Sequence, residues 1–268
     1  MTLFQAIVLG LVQGLTEFLP VSSSAHLALT PWFLGWQDPG LAFDVALHLG
    51  TLGAVLWYFR REWRELAAAA WRLVRTRSVA GEAERRVVLL VLGTIPAGVA
   101  GLLAKDAAET LFRAPALTAS ALIVMGTLLW AADRWAPATR ALGTLTVRDA
   151  LVIGAAQMFA LIPGVSRSGS TITAARALGI DRQSAAVFSF LLSLPITTAA
   201  TLVKVPEAIA TTGVSAPLVA GVLAAAVSSW LAIAVLLRFV SRYSYGVFAA
   251  YRWVLGLAVF GLLALRDG

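Results

Sequence analysis

Long apolar stretches recur along the whole chain, and they constrain its fold more than any other feature. An α-helix needs roughly 20 apolar residues to cross ~30 Å of hydrocarbon. One stretch of that length fits the core of a soluble protein, but a series of them does not. The sequence therefore predicts an all-α, polytopic transmembrane helical bundle in a single membrane domain, residues 1–268. The uninterrupted stretches lie at about 43–59, 87–104, 115–132, 184–203, 215–237 and 246–265.

The composition supports this prediction. Hydrophobic residues make up 59% of the chain and charged residues only 13%, with a mean hydropathy of +0.84. A soluble domain carries about 25% charged residues. The net charge of +7 comes from basic residues between apolar segments, so we expect them to face an anionic leaflet and expect no nucleic-acid partner. The absence of cysteine excludes disulfides, a thiolate nucleophile and a zinc–sulfur site.

The distribution of basic residues predicts the orientation in the membrane. The polar stretch from Arg60 to Arg86 is predicted to be a cytoplasmic loop, because it contains eight arginines. When the other segments are followed across the membrane from this loop, Lys105, Arg113 and Lys204 lie in outer loops. Lys204 is in the loop that follows helix 184–203. Fifteen basic residues then lie inside: Arg60, Arg61, Arg64, Arg72, Arg75, Arg77, Arg85, Arg86, Arg134, Arg140, Arg148, Arg176, Arg182, Arg238 and Arg242. Arg167, Arg252 and Arg266 are left unassigned.

Two further apolar segments, 3–36 and 148–180, are interrupted by proline, glycine and hydroxyl residues. Residues 13–26 resemble residues 157–170 at an offset of 144, and each stretch has a proline just before its serines. We predict an inverted-topology repeat, with 1–132 as the first unit and 148–268 as the second. Broken helices of such repeats meet near the bilayer midplane, where irregular backbone must be buried or line a wet cavity. The identical pairs are Gln13 and Gln157, Val21 and Val165, Ser22 and Ser166, and Ser24 and Ser168.

The two interrupted segments also hold polar side chains that are costly to bury in a membrane, which marks them as a functional site. In the first, Gln13 and Glu17 share a helix face, and a run of serines precedes His26. In the second, a Gly/Ser turn opens a helix, so its free N–H groups and Arg167 are suited to an anion. Structural roles are favoured for three other residues: His48 bonding to a neighbouring helix, Asp44 as a cap, and Arg252 tying two helices together.

These motifs resemble those of the undecaprenyl-diphosphate phosphatases, also called the bacitracin-resistance family. The matching patterns are Gln13-x-x-x-Glu17, then Pro-Val-Ser-Ser-x-x-His26, and Pro163-Gly-x-Ser-Arg-Ser-Gly-x-Thr171. The resemblance covers essentially the whole chain, because both motifs occur in order and at compatible separation. It implies hydrolysis of undecaprenyl diphosphate to undecaprenyl phosphate and inorganic phosphate, which recycles the lipid carrier for cell-wall synthesis. It also implies a divalent cation, Mg²⁺ or Ca²⁺, and a pocket in the inner membrane that opens toward the outer face.

Carried over by position, the resemblance implies a role for each residue of the motifs. The implied catalytic residues are Glu17, Ser23, His26 and Arg167. The implied phosphate-binding residues are Ser22, Ser166, Arg167, Ser168, Gly169 and Thr171. The implied metal ligands are Glu17 and Gln13; some family members have glutamate at the latter position, and a neutral amide can bind a cation but cannot act as a base.

Several alternatives stay open at this stage. The nucleophile is Ser23, His26 or a water molecule, and a homodimer is neither required nor excluded. A secondary transporter or lipid flippase is the alternative function, because inverted repeats with broken helices also build transporters.

Overall fold

The computed structural model describes residues 1–103 and 114–267, which form eleven α-helices and no strand. The predicted all-α class is therefore confirmed. Short 3₁₀ turns lie at Leu142–Thr144 and Phe159–Leu161. The helices are α1 (Leu3–Glu17), α2 (Ser23–Leu34), α3 (Leu41–Tyr58), α4 (Arg60–Thr76), α5 (Glu82–Leu103), α6 (Pro115–Trp135), α7 (Val147–Met158), α8 (Arg167–Ala177), α9 (Arg182–Thr212), α10 (Ala216–Val240) and α11 (Gly246–Asp267).

Within the described ranges, six helices are long and apolar enough to cross a membrane: α3, α5, α6, α9, α10 and α11. They correspond one to one with the six uninterrupted stretches in the sequence. Helix α1 is apolar too, but it is shorter. Length and composition thus give a polytopic membrane protein.

Each interrupted segment forms two helices separated by a break, α1 and α2 around residues 18–22, and α7 and α8 around residues 159–166. The residue that ends each break is a serine in the left-handed region, Ser22 at φ 75° and Ser166 at φ 72°. This conformation is uncommon for a residue with a side chain. It is stabilised because each hydroxyl caps the next helix, accepting the N–H of Ala25 at 3.3 Å and of Gly169 at 3.0 Å. Both breaks therefore end on a serine of positive φ that caps the next helix.

The helices before the breaks pack in equivalent ways, α1 along α10 and α7 along α5. A Cβ atom on Gly10 would lie 2.2 Å from the carbonyl oxygen of Gly221, and one on Gly154 would lie 2.2 Å from that of Gly93. Gly10 and Gly154 are separated by the same offset of 144, and both allow two helix backbones to approach closely. This correspondence supports the inverted repeat; its boundaries at 1–132 and 148–268 stay a prediction.

Two details of the sequence-based topology are wrong. The stretch that begins at Arg60 is not a loop but the amphipathic helix α4, because Leu66 and Ala69 are buried on one face while arginines occupy the other. Lys204 does not lie in a loop, because α9 continues past it to Thr212 with Pro206 inside the helix. Lys105 and Arg113 lie outside the described residues, and the orientation across the membrane stays a prediction.

Candidate active site

The two breaks contact each other directly. The backbone N–H of Gly164 donates to the hydroxyl of Ser22 at 3.1 Å, and the hydroxyl of Ser168 donates to the carbonyl of Leu19 at 2.9 Å. The pairs are separated by 142 and 149 residues in the sequence. The predicted meeting of the two motifs is therefore confirmed.

Arg252 of α11 fastens both breaks. Its guanidinium is fully buried and donates to the carbonyl of Pro20 at 3.0 Å in the first break. It also donates to the carbonyls of Gly164 at 2.6 Å and Val165 at 3.0 Å in the second. A Cβ atom on Gly169 would lie 2.8 Å from this guanidinium, so the glycine makes room for it. Arg252 ties elements together, as the sequence suggested, and those elements are the two breaks.

A carboxylate and a guanidinium form the centre of the site. Glu17 is the last residue of α1, is 6% exposed, and pairs through Oε1 with Nη2 of Arg167, the first residue of α8. The other nitrogen of Arg167, Nη1, donates to the carbonyl of Ser193 at 3.2 Å and to the hydroxyl of Thr197. The planar fork of the guanidinium is thus held between α1 and α9.

The second oxygen of Glu17 accepts two hydrogen bonds from its own segment. The hydroxyl of Ser23 donates to Oε2 at 2.5 Å, and Nε2 of Gln13 donates to it at 3.0 Å. Ser23 is partly exposed, so its oxygen is accessible while its proton faces a base. Gln13 is fully buried, and its Oε1 has no hydrogen-bond partner among the described residues.

His26 forms its hydrogen bonds with residues other than Glu17 and Arg167. Its Nδ1 lies 2.7 Å from the carbonyl oxygen of Ser22, and its Nε2 lies 2.6 Å from the hydroxyl of Tyr251 in α11. The two rings are stacked, with centroids 5.6 Å apart. A carbonyl oxygen can only accept, so Nδ1 carries a hydrogen, and when the ring is neutral Nε2 accepts the hydroxyl hydrogen of Tyr251. The hydrogen bonds described for His26 join it to neither Glu17 nor Ser23, and its catalytic role stays a prediction.

His48 lies beside the site, although the sequence favoured a structural role for it. Its Nε2 is 3.5 Å from Oε2 of Glu17, and its Nδ1 is 3.0 Å from the carbonyl oxygen of Asp44. The expected contact with a neighbouring helix is therefore confirmed, and the residue contacted is the central carboxylate. The available signal was an ionisable residue inside an apolar run. Tyr251, which sequence reasoning also missed, gave no comparable signal.

The hydroxyls predicted to bind phosphate have protein partners in the structure. Besides capping their helices, Ser22 and Ser166 bond to other serines, and Ser168 donates to the first break. The hydroxyl of Thr171 donates to the carbonyl of Arg167 at 2.8 Å, and the N–H of Gly169 is taken by Ser166. These contacts hold the second break in shape. The phosphate-binding roles of Ser22, Ser166, Ser168, Gly169 and Thr171 stay predictions.

The donor atoms fit a divalent cation that is shared with a phosphate. In the part of the chain that the structure describes, no group of three or more His, Cys, Asp or Glu side chains forms a complete metal cage. Mg²⁺ is commonly held by one or two carboxylates together with substrate phosphates and water. Glu17 supplies a carboxylate, and Gln13, whose Nε2 donates to that carboxylate, also carries the unpartnered acceptor Oε1.

Comparison with known proteins agrees with the motifs. Residues 6–258 match the family model described as bacitracin resistance protein BacA. The chain is 64% identical to a protein from Gemmatimonas aurantiaca named undecaprenyl-diphosphatase, over 99% of this chain and 100% of the relative. Proteins of the same name from Pelotomaculum thermopropionicum and Geobacter sulfurreducens are 48% and 47% identical, covering 100% and 99% of this chain and 99% and 100% of the relatives. The chain therefore belongs to the bacitracin resistance protein BacA family.

Proposed function

We propose that this protein is a membrane phosphatase that hydrolyses undecaprenyl diphosphate to undecaprenyl phosphate and inorganic phosphate. The observation that carries the proposal is the pairing of Glu17 with Arg167, with the hydroxyl of Ser23 on the same carboxylate. Its full-length relatives are named for this activity. The reaction returns the lipid carrier to cell-wall synthesis and confers resistance to bacitracin.

Arg167 binds the terminal phosphate of the substrate. Phosphoryl transfer depends mainly on positioning and on neutralising the charge of the transferred group. The guanidinium is already oriented by Glu17, Ser193 and Thr197, so little reorganisation is needed when an anion arrives. It presents parallel N–H donors that suit phosphate oxygens.

Ser23 attacks the terminal phosphorus. Its oxygen forms a new P–O bond, the bond to the bridging oxygen breaks, and undecaprenyl phosphate leaves. The hydroxyl proton passes to Oε2 of Glu17, which already accepts it at 2.5 Å. Water then hydrolyses the phosphoserine and releases phosphate. His26 is a weaker choice as nucleophile, because its Nε2 is capped by Tyr251.

Glu17 and Gln13 are the residues that would hold the divalent cation, Mg²⁺ or Ca²⁺. When bound, the cation supplies positive charge to the oxygens of the diphosphate. Gln13 contributes an oxygen ligand and no base, so the proton of Ser23 goes to Glu17.

The protein resides in the inner membrane with its site open toward the outer face, where the diphosphate form of the carrier is released. The support is the arginine-rich helix α4, which we assign to the cytoplasmic side by its charge. Reaction of a membrane-impermeant thiol reagent with single cysteines introduced at Arg75 and Ser24 tests this assignment. Labelling of Arg75→Cys from outside intact cells would contradict it.

Phosphate release separates the enzyme from a transporter. The purified full-length protein in detergent, given undecaprenyl diphosphate with Mg²⁺ or Ca²⁺, is expected to release phosphate without any gradient. A lipid carrier or flippase would release none. Labelled phosphate that stays on the protein after an acid or a base quench identifies the nucleophile. Label on Ser23 agrees with the proposal, and label on His26 contradicts the serine step.

A further inference from the structure

His48 is an ionisable side chain in contact with Glu17 that the proposed reaction leaves without a task. It lies in α3, a membrane-spanning helix, and its side chain is 23% exposed. Its Nδ1 must carry a hydrogen, because it lies 3.0 Å from the carbonyl oxygen of Asp44. In the neutral ring, Nε2 is then an acceptor, and it is directed at Oε2 of Glu17, 3.5 Å away. Two acceptors placed face to face need either a proton or a metal cation between them.

The side chain of Gln13, which bonds to the same carboxylate, carries a third acceptor. Gln13 is fully buried, its Nε2 is 3.0 Å from Oε2 of Glu17, and its Oε1 has no hydrogen-bond partner among the described residues. Amide oxygen and nitrogen are assigned from the hydrogen-bond network, and rotation of the amide exchanges them. That rotation would bring Oε1 beside Oε2. A buried orphan acceptor is costly unless something satisfies it.

We propose that Nε2 of His48 is a direct ligand of the divalent cation, together with Glu17 and Oε1 of Gln13. Metal-binding histidines commonly donate their other N–H to a backbone carbonyl, which fixes the tautomer as Asp44 does here. Two ligands that are each about 2.1 Å from one ion stand about 3.0–3.4 Å apart. The separation of 3.5 Å between Nε2 and Oε2 is close to that value. Oxygens of the diphosphate complete the coordination, a step that rests on the proposed phosphatase function.

The ligand atoms of the proposed site determine which metal ion it binds most tightly. Ca²⁺ and Mg²⁺ take oxygen ligands, whereas imidazole favours transition metals. A site with one nitrogen and two oxygens from the protein is therefore expected to bind Mn²⁺ more tightly than Mg²⁺ or Ca²⁺.

Pulsed electron paramagnetic resonance of bound Mn²⁺ tests the proposal without any substrate. The probe is Mn²⁺ alone on the purified full-length protein in detergent, and the readout is hyperfine coupling to an imidazole nitrogen. The chain contains only two histidines, so the assignment is simple. We expect the coupling in the wild type and in His26→Ala, whose one remaining imidazole is His48. Labelling histidine with ¹⁵N in the His26→Ala protein is expected to change the coupling pattern.

The matched variant is His48→Gln, which keeps a polar side chain but removes the imidazole. It is expected to lose the nitrogen coupling and to weaken Mn²⁺ binding by at least about 10-fold, with a smaller change for Ca²⁺. If His48→Gln does not fold, the isotope experiment on His26→Ala still decides, because it leaves His48 intact.

Three results would overturn the proposal: no Mn²⁺ binding, bound Mn²⁺ without nitrogen coupling in His26→Ala, or coupling that persists in His48→Gln. Phosphate release from undecaprenyl diphosphate by the wild-type sample keeps the two claims apart. Release without coupling defeats the ligand role of His48 alone. Coupling without release defeats the phosphatase function and leaves a metal site.

Discussion

The two helix breaks end on equivalent capping serines and carry different chemistry. Ser22 and Ser166, 144 residues apart, adopt the same left-handed conformation and cap the following helix in the same way. At that same offset, Glu17 corresponds to Leu161 and Ser23 corresponds to Arg167. The first break therefore supplies the carboxylate of Glu17 and the hydroxyl of Ser23, and the second supplies the guanidinium of Arg167. The backbone conformation of a break provides a scaffold, and the side chains next to it determine what the break does.

Arg252, which joins the two breaks, should have the largest effect. Arg252→Ala leaves buried carbonyls of Pro20, Gly164 and Val165 without their donor. We expect the free energy of unfolding to fall by at least about 3 kcal/mol and phosphate release to be lost. Thermal unfolding in detergent measures the first. Arg238→Ala, at an exposed position of α10, is the control and should change stability little; equal stability of both variants would show that Arg252 does not clamp the breaks.

Removal of either member of the Glu17–Arg167 pair should have the second-largest effect. Glu17→Ala and Arg167→Ala should each lower kcat/KM by about 100-fold, since loss of one preorganised charge contact removes roughly 2–3 kcal/mol of transition-state stabilisation. Steady-state phosphate release measures this. Ser24→Ala is the control, because its exposed hydroxyl contacts only Ser22 among the contacts described. Near-normal activity in either variant would mean that its break contributes no chemistry.

Equivalent glycines test whether the two units are packed alike. Gly10→Ala and Gly154→Ala each place a Cβ atom 2.2 Å from a carbonyl oxygen of the neighbouring helix. Each should destabilise the protein by about 1–3 kcal/mol through overpacking. Gly53→Ala is the control, because its Cβ atom would meet nothing within 4 Å. If one variant unfolds at a lower temperature and the other matches Gly53→Ala, the equivalence of the two packings is wrong.

The capping serines should show a smaller and graded effect. Ser166→Ala removes a helix cap, which costs about 1 kcal/mol. Ser22→Ala should cost more, because this hydroxyl also accepts the N–H of Gly164 across the two breaks. Unfolding temperatures of both variants measure the difference. The reverse order would show that the contact with Gly164 contributes nothing.

Tyr251→Phe should have the smallest effect. It removes one hydrogen bond to Nε2 of His26 while keeping the stacked ring. We expect kcat/KM to fall by no more than about 10-fold, the scale of one neutral hydrogen bond, whereas His26→Ala should fall further. Phosphate release by both variants checks the order. A larger loss in Tyr251→Phe than in His26→Ala would indicate that the tyrosine itself takes part in the reaction.

The sequence predicted the features that depend on local patterns. Apolar length gave the six spanning helices, and proline with serines gave both breaks. The internal likeness at an offset of 144 predicted that Glu17 and Arg167 would meet, which they do. Helical spacing could also have revealed α4, where charge density suggested a loop.

The remaining features depend on which way a helix faces in the assembled bundle. The contacts of His48 with Glu17 and of His26 with Tyr251 join residues on different helices, the latter pair 225 residues apart. Rotation of a helix about its axis is set by packing with its neighbours, and no motif in either partner records it. The contacts of Arg252 with the two breaks likewise depend on helix packing that no motif records.

A double-mutant cycle on phosphate release tests most directly whether the two breaks act on one diphosphate. Glu17→Asp and Arg167→Lys are suitable because each keeps its charge and is expected to keep some activity. If both residues hold the same phosphate, the loss of kcat/KM in the double variant should be smaller than the product of the single losses. Losses that multiply, to within about 0.5 kcal/mol, would mean that Glu17 and Arg167 act independently and would contradict the shared site.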